Sequence, residues 1–319
     1  MSEPIHLSIE WKAFKNAQFG RNFTFKTRQI YERAEQILFV ALVAIFETQQ
    51  ERIIVEETDI HRRMVKEIAG VARQRFPKLS ATSLNIYIRV WNTFLNSLLK
   101  DELIQKKAKI ERLKEHKKDR RVLSDEQITK LTSAKIGPKD GLNLYRVHTM
   151  ILTSLGTGAR LNDVLMLRAE DLNFDQYLIN IYSGKGRKQR VVPMSPALAK
   201  TLVRFVQRRD VPANNLIFGS KVTRSPRSKL KNPTIKYPYK RMSSSNVVRD
   251  LVALCEHLKI PRFKFHELRH TFATRYLKNG GNPAKLRQLM GHSSILTTMI
   301  YEHMDNEAVF ERFSDYTPY

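Results

Sequence analysis

Hydrophobic positions follow two different patterns along the chain. From about residue 22 to 103 they recur with helical spacing. "ILFVALVAIF" at 37–46 is the longest apolar run, and two stripes follow it. Ile60, Met64, Ile68 and Val71 share one face of "TDIHRRMVKEIAGVARQRF"; Leu84, Ile88, Trp91, Leu95 and Leu98 share one face of "SATSLNIYIRVWNTFLNSLL". Residues three and four apart give a helix a single apolar face, and such faces are buried only against one another. The pattern predicts a helix bundle over 22–103, preceded by an N-terminal extension, 1–21.

The next stretch, "IQKKAKIERLKEHKKDRR" at 104–121, has nine basic and three acidic residues and reads as a basic linker, helical at least in part. "LSDEQITKL" then carries a helix start, with Ser124 as N-cap, Gln127 completing a capping box and Leu123 placed to pack on Ile128. An apolar helix, a Gly156/Gly158 turn and a second helix follow. "YLINIYSGKGRKQRVVPM" alternates apolar and polar on both sides of Gly184-Lys185-Gly186, a hairpin pattern. Helices are expected at about 195–209, 244–258, 266–278, 283–290 and 295–303, with "GGNP" supplying a C-cap glycine, an Asn282 N-cap and Pro283 at the first helical position. The expected fold is mainly α with a small β-sheet, the second domain spanning 122–319. Between Phe218 and Ser245 an irregular segment carries eight Lys/Arg and no acid. It reads either as a loop that orders against phosphate or as a disordered surface insertion.

Charge narrows the partner. The 319 residues have a formal charge of +25 and a pI near 10.2, and the cations are clustered, which points to a polyanion, above all nucleic acid. Candidate phosphate contacts are Arg62 and Arg89 in the helical region, beside Arg63, Arg73 and Arg75. The linker offers Lys106, Lys107, Lys114, Lys117 and Lys118, and the hairpin Arg187 and Lys188. The irregular segment adds Arg224, Arg227, Lys229, Lys240 and Arg241. One cysteine, Cys255, excludes an intrachain disulfide and a multi-cysteine zinc site. The N-terminus lacks the basic start and apolar run of a signal peptide, and ten apolar residues fall short of the roughly 20 that span a membrane. A cytoplasmic protein without membrane partners is expected.

"FHELRHTFATRYL" raises a competing reading, since His266, Glu267 and His270 spell a zinc-protease motif. A catalytic zinc needs a third protein ligand, yet Ala273 and Tyr276 stand where one zinc family has Gly and His, and no acid lies between Glu267 and Glu302. His292 as third ligand would place the Arg269 charge beside a dication without a compensating carboxylate. An anion fits better: His266 and Arg269, three apart at a helix start, present positive charge on one face, with His270 on or behind it and Glu267 pointing elsewhere.

"TGARLNDVLML", "GKGRKQRVVPM", "HELRHTFATRYL" and "LMGHSSILTTMIYEHM", in that order, resemble the catalytic domain of tyrosine recombinases, the phage integrase and Xer-like superfamily. "LSATSLNIYIRVWNTFLNSLLKDELI" resembles that family's core-binding domain, so the likeness runs from about 22 to 303. It implies a two-domain DNA clamp with Arg160, Lys185, His266, Arg269 and His292 activating a phosphodiester and Tyr301 as nucleophile. Two arginines can hold both non-bridging oxygens, a lysine can protonate the departing 5′ oxygen, His266 can serve as base and Asp163 can orient an arginine. Lys188 or Arg187 could replace Lys185 as proton donor. The implied reaction forms a 3′-phosphotyrosine and needs no cofactor, metal or nucleotide. The implied partners are double-stranded DNA with a specific recombination site, three further copies in a homotetramer, and accessory proteins. The tail exposing Val309, Phe310 and Phe313 would then dock on a neighbouring protomer. Type IB topoisomerase-like or telomere-resolving chemistry, and a non-catalytic DNA-binding protein, are the alternatives.

Overall fold

The structure, a computed structural model, describes residues 4–21, 23–115, 121–183, 188–221, 239–291 and 313–319, without the side chains of 51, 183, 188, 221, 314 and 316. The chain divides into two compact units, Met1–Lys118 and Asp119–Tyr319.

The first unit is helical. β1 (Ile5–His6) leads into α1 (Leu7–Phe19), α2 (Phe25–Phe46) follows, and β2 (Ile54–Val55) pairs antiparallel with β1. α3 (Glu57–Asp59) continues through a π turn (Ile60–Met64) into α4 (Val65–Arg75), and α5 (Ala81–Lys100) closes the bundle. Side chains begin two of these helices: Thr24 accepts from the Thr27 N–H and Ser80 from that of Ser83. The apolar stripes read from sequence are buried as expected, except that Ala72 rather than Val71 completes the α4 stripe.

Two expectations change. Residues 1–21 are no extension, because Ile5, Leu7, Trp11 and Phe14 lie in the core. Trp11 is fully buried, its ring 5.0 Å from Phe94 and 5.4 Å from Phe14. Nor are residues 104–115 helical or free. They run without helix along the first unit and bury Ile104, Ala108 and Ile110.

The second unit begins with α6 (Asp125–Ser133), whose capping box forms as the sequence indicates: the Gln127 N–H donates to Ser124 Oγ at 3.2 Å and the Ser124 N–H to Gln127 Oε1 at 3.1 Å. α7 (Leu142–Thr157) is buried on every side from Tyr145 onward. Its threonines are satisfied within the helix, since Thr149, Thr153 and Thr157 each donate to the carbonyl one turn back at 2.6–2.9 Å. α8 (Leu161–Leu165) precedes a three-stranded antiparallel sheet of β3 (Leu172–Asn173), β4 (Leu178–Ser183) and β5 (Lys188–Pro193). The β4–β5 register ends at Ser183 opposite Lys188, bracketing the hairpin tip. α9 (Pro196–Arg209) follows; β6 (Ser220–Lys221) and β7 (Tyr239–Lys240) pair at the base of the basic segment. α10 (Ser244–His257), α11 (Phe265–Lys278), α12 (Pro283–Met290) and α13 (Phe313–Tyr316) complete the unit, with Asn282 capping α12. The helix expected at 295–303 lies outside the described residues. No helix among the described residues is long and apolar enough to cross a membrane.

The described part of the tail packs on its own unit, while Val309 and Phe310 lie outside the described residues. Phe313 is buried with its ring 6.3 Å from Phe272, and the Tyr319 hydroxyl lies 2.7 Å from Thr201 Oγ1. Gly156 makes room, because a Cβ there would stand 2.9 Å from the Tyr319 carbonyl oxygen.

Trp11→Ala should lower the stability of the first unit by about 3–5 kcal/mol. The other tryptophan, Trp91, is in the same unit, so the urea transition read by its fluorescence reports that unit alone. An unmoved midpoint would place α1 outside the core.

Candidate active site

Gly158 sets the geometry. It ends α7 in the left-handed region, φ +67°, and a Cβ on it would stand 2.5 Å from Phe272 Cδ1. The backbone can therefore turn tightly against α11, where Arg269 is 2 % exposed. Arg269 donates to the Gly158 carbonyl and to the Met290 carbonyl, both at 2.6 Å, and so joins the ends of α7 and α12.

Two residues after Gly158, Arg160 caps α8 with extended backbone, and its N–H donates to Asp163 Oδ2 at 3.2 Å. The same oxygen accepts from Arg190 NH2 at 2.8 Å, in an ion pair whose side chains are 9 % and 5 % exposed. Arg190 Nε also donates to the Leu289 carbonyl at 2.9 Å. The arginine side chain that Asp163 pairs with is thus Arg190. In sequence it is hidden in the basic run "GRKQR". Strand alternation marks it: 190, 192 and 194 share a face, and Val192 and Met194 are buried.

Three guanidiniums therefore cluster near one carboxylate. Burial, then the charges of Arg160 and Arg190, push the Arg269 pKa well below the usual arginine range, to about 9, against the pull of Asp163. Burial likewise lowers Arg190, with Asp163 opposing and Arg160 adding to the effect. Among the described residues the centre carries more positive charge than its one acid balances, an arrangement suited to a doubly coordinated oxyanion.

On the first turns of α11, exposed His266 meets half-buried His270 edge to face, ring centroids 4.5 Å apart. Glu267 is turned away toward Arg121, its Oε2 3.7 Å from Arg121 Nε. Among the described residues no three His, Cys, Asp or Glu converge as metal ligands. Lys185, His292 and Tyr301 lie outside the described residues, as do Lys117, Lys118, Arg187, Arg224, Arg227 and Lys229 and the side chain of Lys188. The remaining candidate contacts, Arg62, Arg89, Lys106, Lys107, Lys114, Lys240 and Arg241, are exposed. Arg241 donates to Asn162 Oδ1 at 2.7 Å, which brings the end of the basic segment next to α8. Arg63 is occupied, donating to the Ile45 carbonyl and lying over the Phe46 ring.

Arg190→Met removes the ion-pair partner of the buried Asp163 carboxylate and should cost the second unit about 3–5 kcal/mol, as should Asp163→Leu from the other side. The double variant should lose much less than the sum of the two, read by circular dichroism during urea unfolding. Simple additivity would mean the pair is not coupled.

Comparison with known proteins agrees with this geometry. Residues 121–308 match the model of the phage integrase family. A tyrosine recombinase of Pseudothermotoga lettingae is 28 % identical over 264 residues, covering 81 % of this chain and 82 % of that protein. Tyrosine recombinase XerA of Pyrococcus furiosus is 28 % identical over 237 residues, covering 72 % and 73 %. In fold, the chain is similar to the Tn1549 transposon integrase in complex with circular intermediate DNA, with TM-score 0.62, 20 % identity and coverage of 95 % and 97 %. The lambda integrase tetramer bound to a Holliday junction gives TM-score 0.61 at 14 % identity, over 95 % of this chain and 80 % of that one. With the family model matched over more than half its length, including the guanidinium centre, the chain belongs to the phage integrase family and is a tyrosine recombinase, an enzyme of site-specific recombination.

Proposed function

We propose that the chain recombines double-stranded DNA at a specific site by transesterification through Tyr301. The Tyr301 hydroxyl attacks the scissile phosphorus as His266 takes its proton. The phosphorus–5′-oxygen bond breaks, Lys185 protonates the leaving oxygen, and a 3′-phosphotyrosine remains. Attack by the 5′ hydroxyl of a partner strand reverses these steps on a new strand, so the bond energy is conserved and no metal or nucleotide enters. Arg160 and Arg269 hold the non-bridging oxygens, His292 hydrogen-bonds one of them, and Arg190 with Asp163 fixes the position of the arginines.

The observation that carries this reading is the cluster of buried Arg269 with half-buried Arg160 and Arg190 at Asp163, the one carboxylate among the described residues of the centre. Charge builds up on the phosphoryl oxygens in the pentavalent transition state, and a fixed, water-poor set of cations stabilises it more than the ground state. Both units grip the duplex through exposed basic side chains, and four protomers act on two duplexes. The Tn1549 integrase in complex with circular intermediate DNA supports the grip on DNA, and the lambda integrase tetramer bound to a Holliday junction supports the assembly of four.

A nicked suicide duplex carrying the chain's recombination site should trap a covalent protein–DNA adduct in EDTA. Tyr301→Phe should abolish the adduct and Arg269→Ala reduce it by about two to three orders of magnitude, the scale for removing a preorganised donor. An adduct that persists in Tyr301→Phe overturns the nucleophile, and one lost to EDTA overturns the metal-free mechanism.

Sulfate, as a stand-in for the phosphate, should raise the melting temperature of the protein. Arg269 is charged below pH 9 and loses its proton as pH rises through that value. The sulfate effect should therefore be level from pH 7 to about 9 and decline above. A response that grows with alkalinity would place sulfate elsewhere.

A further inference from the structure

In the first unit the segment with linker composition is a strap. Just past the end of α5 stands Glu102, a non-glycine residue at φ +59°, and the Leu103 N–H turns back to the Leu98 carbonyl at 2.9 Å. The chain reverses, and residues 104–115 run back along α5, held by three clasps. At the first, Glu57 Oε1 accepts the backbone N–H groups of Gln105 and Lys106, at 2.9 and 2.7 Å.

The second and third clasps are asparagines of α5. Asn92 Oδ1 accepts from the Ile110 N–H at 2.7 Å while its Nδ2 donates to the Ile110 carbonyl at 2.9 Å. Asn85 makes the same pair of bonds with Leu113, both at 2.9 Å. The far end is closed by Glu115, which accepts from Asn85 Nδ2 at 2.6 Å and Thr82 Oγ1 at 2.8 Å. A side-chain amide offers the same donor and acceptor as a peptide, so each asparagine holds a strap residue as an adjacent strand would. The spacings agree. Seven residues of helix rise about 10.5 Å; three residues of extended chain cover about 10 Å.

We infer that Asn85 and Asn92 are positioning residues for recombination, which set the length of the tether between the two DNA-gripping units. This rests on the proposal that both units grip one duplex. With the strap clasped, the tether runs only from Glu115 to Leu123, whose N–H is fixed on Thr271 Oγ1 at 2.9 Å in the second unit. Its reach is at most about 28 Å, against about 70 Å if it began at Leu103. A short tether keeps the second unit concentrated at the DNA already held by the first. Effective concentration falls roughly as the −3/2 power of tether length, so unclasping, from about eight residues to about twenty, lowers it about fourfold.

The test uses the full chain, a mixed-sequence duplex long enough for both units, and two variants. In the wild type, the Ile110 and Leu113 amides should be protected from hydrogen exchange. In N85A/N92A they should exchange freely, and duplex affinity should fall about fourfold at every salt concentration, with the slope against log salt unchanged. That constancy separates a longer tether from a lost phosphate contact, which would flatten the slope. A second variant inserts a Gly/Ser segment of the strap's own length, twelve residues, after Glu115. It should show the same fall with the strap amides still protected, and it decides the matter if N85A/N92A does not fold. Unprotected amides in the wild type, or full affinity in the insertion variant, would overturn the inference. A wild-type chain that fails to bind duplex, with those amides protected, would instead overturn the DNA reading and leave the strap in place.

Discussion

The catalytic unit is organised around an imbalance: three guanidiniums are brought together with one carboxylate to share. Like charges repel, and burial strengthens the repulsion by removing water. The fold counters it by placing backbone carbonyls where the guanidiniums donate. Gly158 and Met290 face Arg269, and Leu289 faces Arg190. Each of those carbonyls belongs to the end of a helix, where carbonyls lack intrahelical partners and carry the negative end of the helix dipole. α7 and α12 thus contribute twice, through their packing and through the partial charge at their termini. An anion entering the site relieves the remaining repulsion, which is how a fold can favour a phosphate in transit over water.

Much of this was legible in the sequence, where local chemistry determines local structure. Ser124 and Gln127 specify a helix start unaided by the rest of the fold, and the pairing of β4 with β5 follows from strand alternation. Arg160, His266 and Arg269 could be picked out because they sit in ordered motifs. What escaped depends on tertiary context. Arg190 is one cation among three in "GRKQR", and only its place on the inner face of β5 distinguishes it. α1 looks weakly amphipathic, and it is recruited to the core because β1 pairs with β2, nearly fifty residues away. The strap was misread for the opposite reason. Its composition is that of a solvated linker, and the residues that hold it, Asn85, Asn92 and Glu57, lie on helices far earlier in the chain, where they pass for ordinary surface polar groups.

Arg269 is anchored entirely through main-chain oxygens, and this decides which mutations the centre can tolerate. A carbonyl is supplied by any amino acid, so the identity of residue 290 can drift without removing an acceptor. The path of the backbone cannot drift. The centre therefore depends on shape more than on spelling: a change remote from the arginines that slides the end of α7 or α12 by an ångström moves the acceptors of Arg269, while a replacement at 290 that keeps the backbone in place does not. Mutational sensitivity mapped along the chain would follow the helix ends rather than the distance from the phosphate.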